Sequence, residues 1–163
     1  INMKNNFYFQ KIFQLDNKKT EFEKILDSNF DTYKVKGKKF LFIKGKILEE
    51  LAQEAFFQVS HFLRKSHLEK LTKILNDKKA SSNDKYVALT LLKNANVAAG
   101  GILPMCQDTG TAIVIAKKGN YIITDGKDEE YLTKGIYNCF KKNNLRYSQV
   151  AARSMYDEKN TKN

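Results

Sequence analysis

The sequence predicts an α+β domain in which amphipathic helices are mixed with short strands. Three observations support this fold class. Apolar residues recur at the 3.6-residue spacing of a helix in several segments, short β-branched or aromatic runs lie between turn residues, and no internal repeat is visible. Hydrophobic residues make up 42% of the 163 residues, enough for one packed domain, and the length is too short for two domains of ordinary size. A mixed order of helices and hairpins is typical of α+β domains.

The first part of the chain is predicted to hold one strand and one helix after a poorly patterned leader. Residues 1–34 are rich in lysine and lack clear periodicity, with a short helix expected near 20–26. The sequence KFLFIK at 39–44 lies between two glycines and is predicted as a strand. Residues 47–63 carry apolar side chains at helical spacing and are predicted as an amphipathic helix.

Two further helices are predicted in the middle of the chain. The second begins near Ser66, with Glu69 three residues later at the spacing of a capping box. The third spans about residues 85–99, follows the turn sequence ASSND at 80–84 and stops at the glycine pair 100–101.

A hairpin and a fourth helix are predicted beyond this point. The β-branched run 111–116 is followed by turn residues at 118–120 and by a short run at 121–124, which is expected to pair back with the first. The fourth helix spans about 128–142 and places Cys139 on its apolar face, where a core position is expected. The tail after it is polar and carries no clear pattern.

The charge of the chain does not indicate a nucleic-acid partner. The net charge is +11, but it comes from 26 lysines and only 3 arginines, beside 15 asparagines. Base readout and bidentate phosphate contacts favour arginine, so the lysines are interpreted as spread over solvated faces. No apolar run approaches the roughly 18 residues that a membrane helix needs, so no membrane partner is expected.

Cysteine usage and the first residues bear on the compartment. Two cysteines far apart in the sequence make no disulfide scaffold and favour a reducing compartment. Residues 1–15 carry Lys4 and Lys11 and no acidic residue, among aromatic and aliphatic side chains. This composition is typical of a mitochondrial presequence except that arginine is missing, so a mitochondrial location is expected and a cytoplasmic one is the alternative.

The segment 94–116 differs from the rest of this lysine-rich chain. It contains neither Lys nor Arg, and it holds the only proline, one of the two cysteines and three of the eight glycines. Burial alone explains the missing lysine at its two ends, but not the polar sequence CQDTG at 106–110. By itself, Cys106 is compatible with three roles: a nucleophile, an inert buried thiol, or a ligand of a metal or cluster. The two histidines lie elsewhere, with His61 expected as a hydrogen-bonded structural residue and His67 at the surface.

The stretch GGILPMCQDTGTAIV at 100–114 resembles the signature of class I iron–sulfur fumarate hydratases and of the related L-tartrate dehydratase α subunit. Further stretches resemble family segments in family order: SHFLRKSHLEKL (60–71), ASSNDKYVALTLLKNANVAAGG (80–101), NLRYSQVA (144–151) and SMYDEKNTKN (154–163). The resemblance covers about residues 35–163. It implies that this range is part of the N-terminal, cluster-binding domain of an iron–sulfur hydro-lyase.

The resemblance also implies roles for individual residues. In this family a [4Fe–4S] cluster is held by three cysteine thiolates, and its open iron acts as a Lewis acid on the malate hydroxyl and carboxylate. Cys106 matches the first of these cysteines. Gln107 and Asp108 match residues that line the substrate site, with Asp108 as the acid–base group. Arg146 matches an arginine that binds a substrate carboxylate.

The resemblance implies a hydro-lyase that interconverts fumarate and L-malate as a homodimer. L-tartrate dehydratase, or another hydro-lyase of a 2-hydroxy dicarboxylate, is the alternative within this class. Because two of the three cluster cysteines have no counterpart, residues 1–163 are expected to be truncated within the domain and inactive alone. A non-catalytic remnant serving as a binding or dimerisation module is the alternative of another class. One departure, Ala152-Arg153 where the family has Pro-Leu, puts a charge at a usually apolar position.

Overall fold

The computed structural model describes residues 24, 30–107, 110–147 and 149–160. These residues form helices with two small sheets, which confirms the α+β class. Apart from residue 24, the helix expected near 20–26 lies outside them. Within these ranges no helix is both long and apolar enough to cross a membrane. The elements in chain order are β1 (Asp31–Val35), β2 (Lys38–Phe42), α1 (Gly45–His61), α2 (Lys65–Asn76), α3 (Ser82–Ala98), β3 (Ile122–Ile123), α4 (Asp128–Lys142), β4 (Val150–Ser154) and β5 (Asp157–Asn160).

The first two strands form a hairpin whose first strand was not predicted from the sequence. β1 begins inside the segment interpreted as a poorly patterned leader and pairs antiparallel with β2. The connecting residues Lys36 and Gly37 both have positive φ angles, 47° and 77°, which suits the tight turns of two-residue hairpins. The strand was missed because its sequence, DTYKV, has mixed polarity and four of its five residues are exposed, so no apolar alternation marks it.

The hairpin predicted between 111–116 and 121–124 is wrong. Residues 111–116 join no strand ladder, and β3 pairs in parallel with β2. The β2 backbone donates from Leu41 N to the oxygen of Tyr121 (2.8 Å) and from Ile43 N to the oxygen of Ile123 (2.9 Å). The predicted second run, 121–124, therefore pairs with a strand about 80 residues earlier in the chain. Local turn residues do not reveal such a distant pairing.

The core lies between α1 and α4, both close to their predicted limits. Cys139, Phe140 and Leu145 are buried there, and the partly buried Phe56 and Phe57 of α1 pack against them. Burial of Cys139 confirms the core position predicted for it. The two helices approach so closely at Gly135 that any larger side chain meets the α1 backbone.

The starts of α2 and α3 differ from prediction in opposite ways. The capping box expected at Ser66 is wrong, because α2 already begins at Lys65 and its N-cap, Arg64, makes no side-chain capping bond. α3 begins three residues earlier than predicted, because Ser81 and Asp84 form a full capping box. The Asp84 backbone N–H donates to Ser81 Oγ (3.1 Å), and the Ser81 backbone N–H donates to the Asp84 carboxylate (2.9 Å).

The tail after α4 contains a second hairpin, although its sequence carries no clear pattern. β4 and β5 pair antiparallel, with an irregularity between Ala152 and Ser154. Every residue of both strands is exposed, which explains why apolar alternation is absent. Arg153, part of the departure Ala152-Arg153, lies 3.8 Å from the Asp157 carboxylate on the partner strand.

Candidate active site at the Cys106 loop

The Cys106 loop, defined here as residues 99–107, leaves α3 and runs along α1. Gly101 has a φ angle of +73°, a left-handed conformation that ends the helix at the predicted glycine pair. A Cβ at this position would lie 3.3 Å from the ring of Phe57. Both the conformation and the close approach to α1 therefore favour glycine.

Met105, the residue before Cys106, is held through both of its backbone polar groups. Its N–H donates to the backbone oxygen of Ser60 in α1 (2.9 Å), and its carbonyl accepts from the Asn94 side-chain amide of α3 (2.7 Å). Each bond reaches a different helix. The backbone leading into Cys106 is therefore positioned against two rigid elements.

Cys106 is exposed at the edge of a cavity of about 580 Å³ between α1 and the loop. Its lining combines apolar side chains with a hydroxyl or thiol at three positions: Ala55, Phe56, Val59, Ser60, Leu63, Pro104, Met105, Cys106, Thr111, Ile113 and Phe140. An accessible thiol beside an apolar wall can reach a metal centre or a ligand from outside the fold. Within the described residues, Cys106 is therefore an exposed thiol and not a buried one.

The segment 144–149, which contains LRYSQ, is joined near both of its ends to the Cys106 region, defined here as the Cys106 loop together with residues 110–111. At one end the Asn144 amide donates to the backbone oxygen of Ile102 (3.4 Å). At the other end the Thr111 hydroxyl donates to the Gln149 side-chain oxygen (2.5 Å). The two stretches that most resemble the family signature therefore run side by side, although 38 residues separate Thr111 from Gln149.

Arg146 lies between two anchored neighbours in this segment. The Leu145 side chain is 4% exposed in the α1–α4 core, and the Tyr147 ring stacks on Phe140 with their centroids 6.4 Å apart. The carbonyl of Tyr147 accepts from the Asn160 amide of β5 (2.7 Å). Arg146 itself is exposed, so its guanidinium is placed by fixed backbone on both sides and is accessible to a ligand.

The other predicted site residues are placed less fully. Gln107 is exposed at the end of the Cys106 loop. Asp108 lies outside the described residues, so its acid–base role stays a prediction. The structure thus brings together the segments that carry Cys106, Gln107 and Arg146.

The second cysteine does not belong to this site. Cys139 is fully buried, and burial raises the pKa of its thiol, partly opposed by the Asn143 amide 3.4 Å away. Among the described residues there is no cluster of three His, Cys, Asp or Glu side chains that could hold a metal ion. The chain therefore offers one accessible thiol, at Cys106, and does not by itself fit a cluster that needs three cysteines.

The two histidines lie in different environments, as expected. His61 is fully buried, its Nδ1–H donates to the Phe57 carbonyl (2.8 Å), and its ring stacks on the Phe57 ring. Its Nε2 atom has no hydrogen-bond partner within the part of the chain that the structure describes. The predicted hydrogen bonding of His61 is therefore found at only one of its two ring nitrogens. His67 is exposed in the first turn of α2, as predicted.

Sequence reasoning missed the side chains that hold the site together. Asn94, Thr111 and Gln149 make the cross-links described above, yet none of them was a candidate. Asn94 and Thr111 fall in the lysine-free segment 94–116, and Gln149 falls beside Arg146. The polar residues of the lysine-free segment were the sequence feature that could have identified Asn94 and Thr111 as side chains that hold the site together.

Comparison with known proteins finds matches to fumarate hydratases. The family model for fumarate hydratase (fumerase) matches residues 49–163. The chain is 48% identical to "Fumarate hydratase 2" of Leishmania major over 161 residues, which are 96% of this chain and 28% of that protein. It is 45% identical to "Fumarate hydratase class I, anaerobic" of Escherichia coli over 155 residues, 95% of this chain and 28% of that protein. It is 55% identical to "Fumarate hydratase 1, mitochondrial" of Leishmania major over 111 residues, 68% of this chain and 20% of that protein.

The chain thus spans about 28% of the length of the first two of these relatives. The family match covers the Cys106 loop, α4 and the segment 144–149 in one continuous range. On the strength of this match and of the paired signature segments, the chain belongs to the fumarate hydratase family.

Proposed function

We propose that the protein containing this chain is a fumarate hydratase, which adds water reversibly to fumarate to give L-malate. The observation that carries the proposal is the side-by-side placement of the Cys106 loop and the segment 144–149, joined at Ile102–Asn144 and Thr111–Gln149. This arrangement supports one site built from both signature segments. Membership of the family and the names of the relatives supply the substrate.

Arg146 is proposed to bind one carboxylate of the substrate. A guanidinium can donate two parallel hydrogen bonds to a carboxylate, which fixes its orientation as well as its position. Exposure of Arg146 between two anchored residues supports this role. Gln107, exposed at the end of the Cys106 loop, is proposed to contact the same substrate through its side-chain amide.

Asp108 is proposed to transfer the proton. Hydration adds the oxygen of water to one alkene carbon and a proton to the other, and dehydration of L-malate reverses both events. A carboxyl group held near the carbon that gains or loses the proton can carry it in either direction. In the sequence it directly follows Gln107 and comes two residues after Cys106.

Cys106 is proposed to supply one thiolate to a [4Fe–4S] cluster. When bound, such a cluster offers an iron that polarises the substrate hydroxyl and carboxylate. The other two thiolates have no counterpart among the two cysteines of this sequence, so they are proposed to come from residues outside it. Residues 35–163 are accordingly proposed to be one part of the cluster-binding domain, after a leader at 1–34.

The assembly and location follow as further parts of the proposal. We propose a homodimer, which light scattering on the purified full-length protein tests directly. The lysine-bearing, acid-free residues 1–15 and the mitochondrial relative support a mitochondrial location. Imaging of a fluorescent fusion, with and without residues 1–34, tests that location.

The activity is tested on the full-length protein, reconstituted anaerobically with iron and sulfide. Fumarate formation from L-malate is followed by absorbance, beside L-tartrate and beside the variant Cys106→Ala. We expect turnover of L-malate that the variant loses. Turnover of L-tartrate in preference to L-malate, or L-malate turnover that survives in Cys106→Ala, would contradict the proposal.

A further inference from the structure

The hydrogen bond between Thr111 and Gln149 joins two loops that no strand ladder connects. Thr111 follows CQDTG by one residue, and Gln149 follows Arg146 by three. Thr111 is an exposed residue that also lines the cavity beside Cys106. The bond is therefore at the site itself and is not part of the core.

The backbone on either side of Arg146 is fixed in different ways. On the N-terminal side, Leu145 is buried in the α1–α4 core, so the position of that residue follows from helix packing. On the C-terminal side, Tyr147 is held by Phe140 and Asn160, and beyond it Gln149 is linked to Thr111 of the Cys106 region. The contacts of Leu145 and Tyr147 tie Arg146 to the scaffold, and the Thr111–Gln149 bond ties the same segment to the Cys106 region.

The separation of two carboxylate-binding groups determines the length of the diacid that fits between them. If Arg146 holds one carboxylate and the Cys106 region holds the other end, the Thr111–Gln149 bond fixes one side of that gap. Loss of a hydroxyl at Thr111 leaves the core contact of Leu145 intact and removes one of the two hydrogen bonds between segment 144–149 and the Cys106 region, the Asn144–Ile102 bond being the other. Loss of the Thr111–Gln149 bond should therefore change selectivity for diacid length more than it changes folding.

We propose that Thr111 and Gln149 are a positioning pair, which sets the gap between the Cys106 region and Arg146 and so selects four-carbon diacids over longer ones. This inference rests on the proposed function, because it needs a diacid between the two loops. Neither residue is proposed to touch the reacting atoms. Both act through the placement of Arg146.

The pair is tested in the full-length, cluster-loaded protein with two unreactive diacids, succinate and glutarate, by calorimetry. We expect Thr111→Val, which removes the hydroxyl and keeps the shape, to lower the succinate-over-glutarate preference roughly tenfold. Thr111→Ser keeps a hydroxyl and is expected to restore most of that preference. Thr90→Val is the matched control, since the Thr90 hydroxyl bonds only within α3, to the Tyr86 carbonyl (2.9 Å).

A second variant, Gln149→Met, removes the other half of the pair at similar side-chain length. We expect it to lower the preference by the same factor, and the double variant to go no further than either single one. If Thr111→Val does not fold, Gln149→Met decides the question. Additive losses, or a preference unchanged from that of Thr90→Val, would overturn the inference.

The two possible failures are distinguishable. A wild-type protein that converts L-malate, with the preference unaffected in Thr111→Val and Gln149→Met, overturns the positioning pair and leaves the proposed function standing. A wild-type protein that neither converts L-malate nor binds succinate overturns the proposed function, and the positioning pair falls with it. A fall in the thermal midpoint of Thr111→Val with an unchanged preference would assign Thr111 a structural role only.

Discussion

Two regions of the molecule contact α1 in different ways. Helix α4 contacts it at Gly135, where an added Cβ would lie 2.1 Å from the Glu49 backbone oxygen. The Cys106 loop contacts it through the hydrogen bond between Met105 and Ser60. The first contact depends on the absence of a side chain and on burial of Cys139 and Phe140 beside it. The second depends on backbone and amide hydrogen bonds around an exposed cavity edge.

This difference predicts that substitutions in the α1–α4 contact affect stability and that substitutions around Cys106 affect activity. In the α1–α4 contact, an extra methyl group collides with backbone that cannot move aside without parting the helices. Around Cys106, side chains are exposed, so their replacement removes few packing contacts. Variants of the first region should lower the free energy of unfolding, and variants of the second should lower activity in a protein that stays folded.

Among substitutions that leave the Cys106 thiol in place, the largest effect is expected for Asp108→Asn. An amide cannot give up or take the proton that hydration requires, so kcat should fall by about 10²–10⁴. Iron content and thermal midpoint should stay at wild-type values, because the Cys106 thiol is untouched. Steady-state kinetics of the full-length protein measure this, and a nearly normal kcat would remove the acid–base role from Asp108.

Gly135→Ala should produce the opposite pattern. The new Cβ would also lie 2.9 Å from the Ala52 side chain, so the helices must separate, and we expect the free energy of unfolding to fall by about 3 kcal/mol. Gly119→Ala is the matched control, since its Cβ meets only Ile122, at an ordinary 3.6 Å. Denaturant unfolding of the full-length proteins compares them. Equal stability of the two variants would show that the close approach of α1 and α4 is not needed.

Arg146→Lys should affect substrate use without affecting stability. A lysine ammonium keeps the charge but cannot form two parallel hydrogen bonds with a carboxylate, so KM should rise and kcat should fall. We expect kcat/KM for L-malate to drop roughly tenfold or more, which corresponds to at least about 1.4 kcal/mol. Unchanged kinetics would place Arg146 outside the site.

The smallest effect is expected at the start of α3, far from both regions. Ser81→Ala removes the capping hydroxyl and should destabilise the helix by about 1 kcal/mol. The hydrogen bonds from Ser81 also lower the pKa of the Asp84 carboxyl below its ordinary value. The stabilisation of α3 by the charged Asp84 carboxylate is therefore fully present above about pH 4, the ordinary pKa of an aspartate. It is lost as the pH falls through the lowered pKa of Asp84.

Thermal melts at several pH values test the capping box. The difference in midpoint between wild type and Asp84→Asn should be largest near neutral pH and should shrink as the pH falls below about 4. L-malate turnover at neutral pH should be the same in both proteins. A difference in midpoint that does not change with pH would show that the Asp84 charge does not stabilise α3.

Much of the helical scaffold was predictable, because its signals are local. α4 matches its predicted limits, and Cys139 lies in the core as its spacing indicated. α1 likewise shows its apolar period in the sequence. Each of these helices buries one face, and burial of one face produces the 3.6-residue pattern.

The strands were harder to predict because their partners are distant or their faces exposed. β3 pairs with β2 across about 80 residues, and β4 and β5 are exposed along their whole length, so neither turn residues nor alternation marks them. The candidate site likewise contains residues that local motifs indicate and a contact between distant segments that they do not. The resemblance predicted roles for Cys106, Gln107, Asp108 and Arg146 from motifs, whereas the Thr111–Gln149 bond is visible only in the folded structure.

The most direct test of the account uses the two cysteines as a matched pair. Iron per chain is counted in full-length wild type, Cys106→Ala and Cys139→Ala after anaerobic reconstitution. Cys106 is exposed at the cavity and Cys139 is buried in the core, so we expect iron and L-malate turnover to be lost in Cys106→Ala and retained in Cys139→Ala. Full iron content and turnover in Cys106→Ala would contradict the placement of the active site at the Cys106 loop.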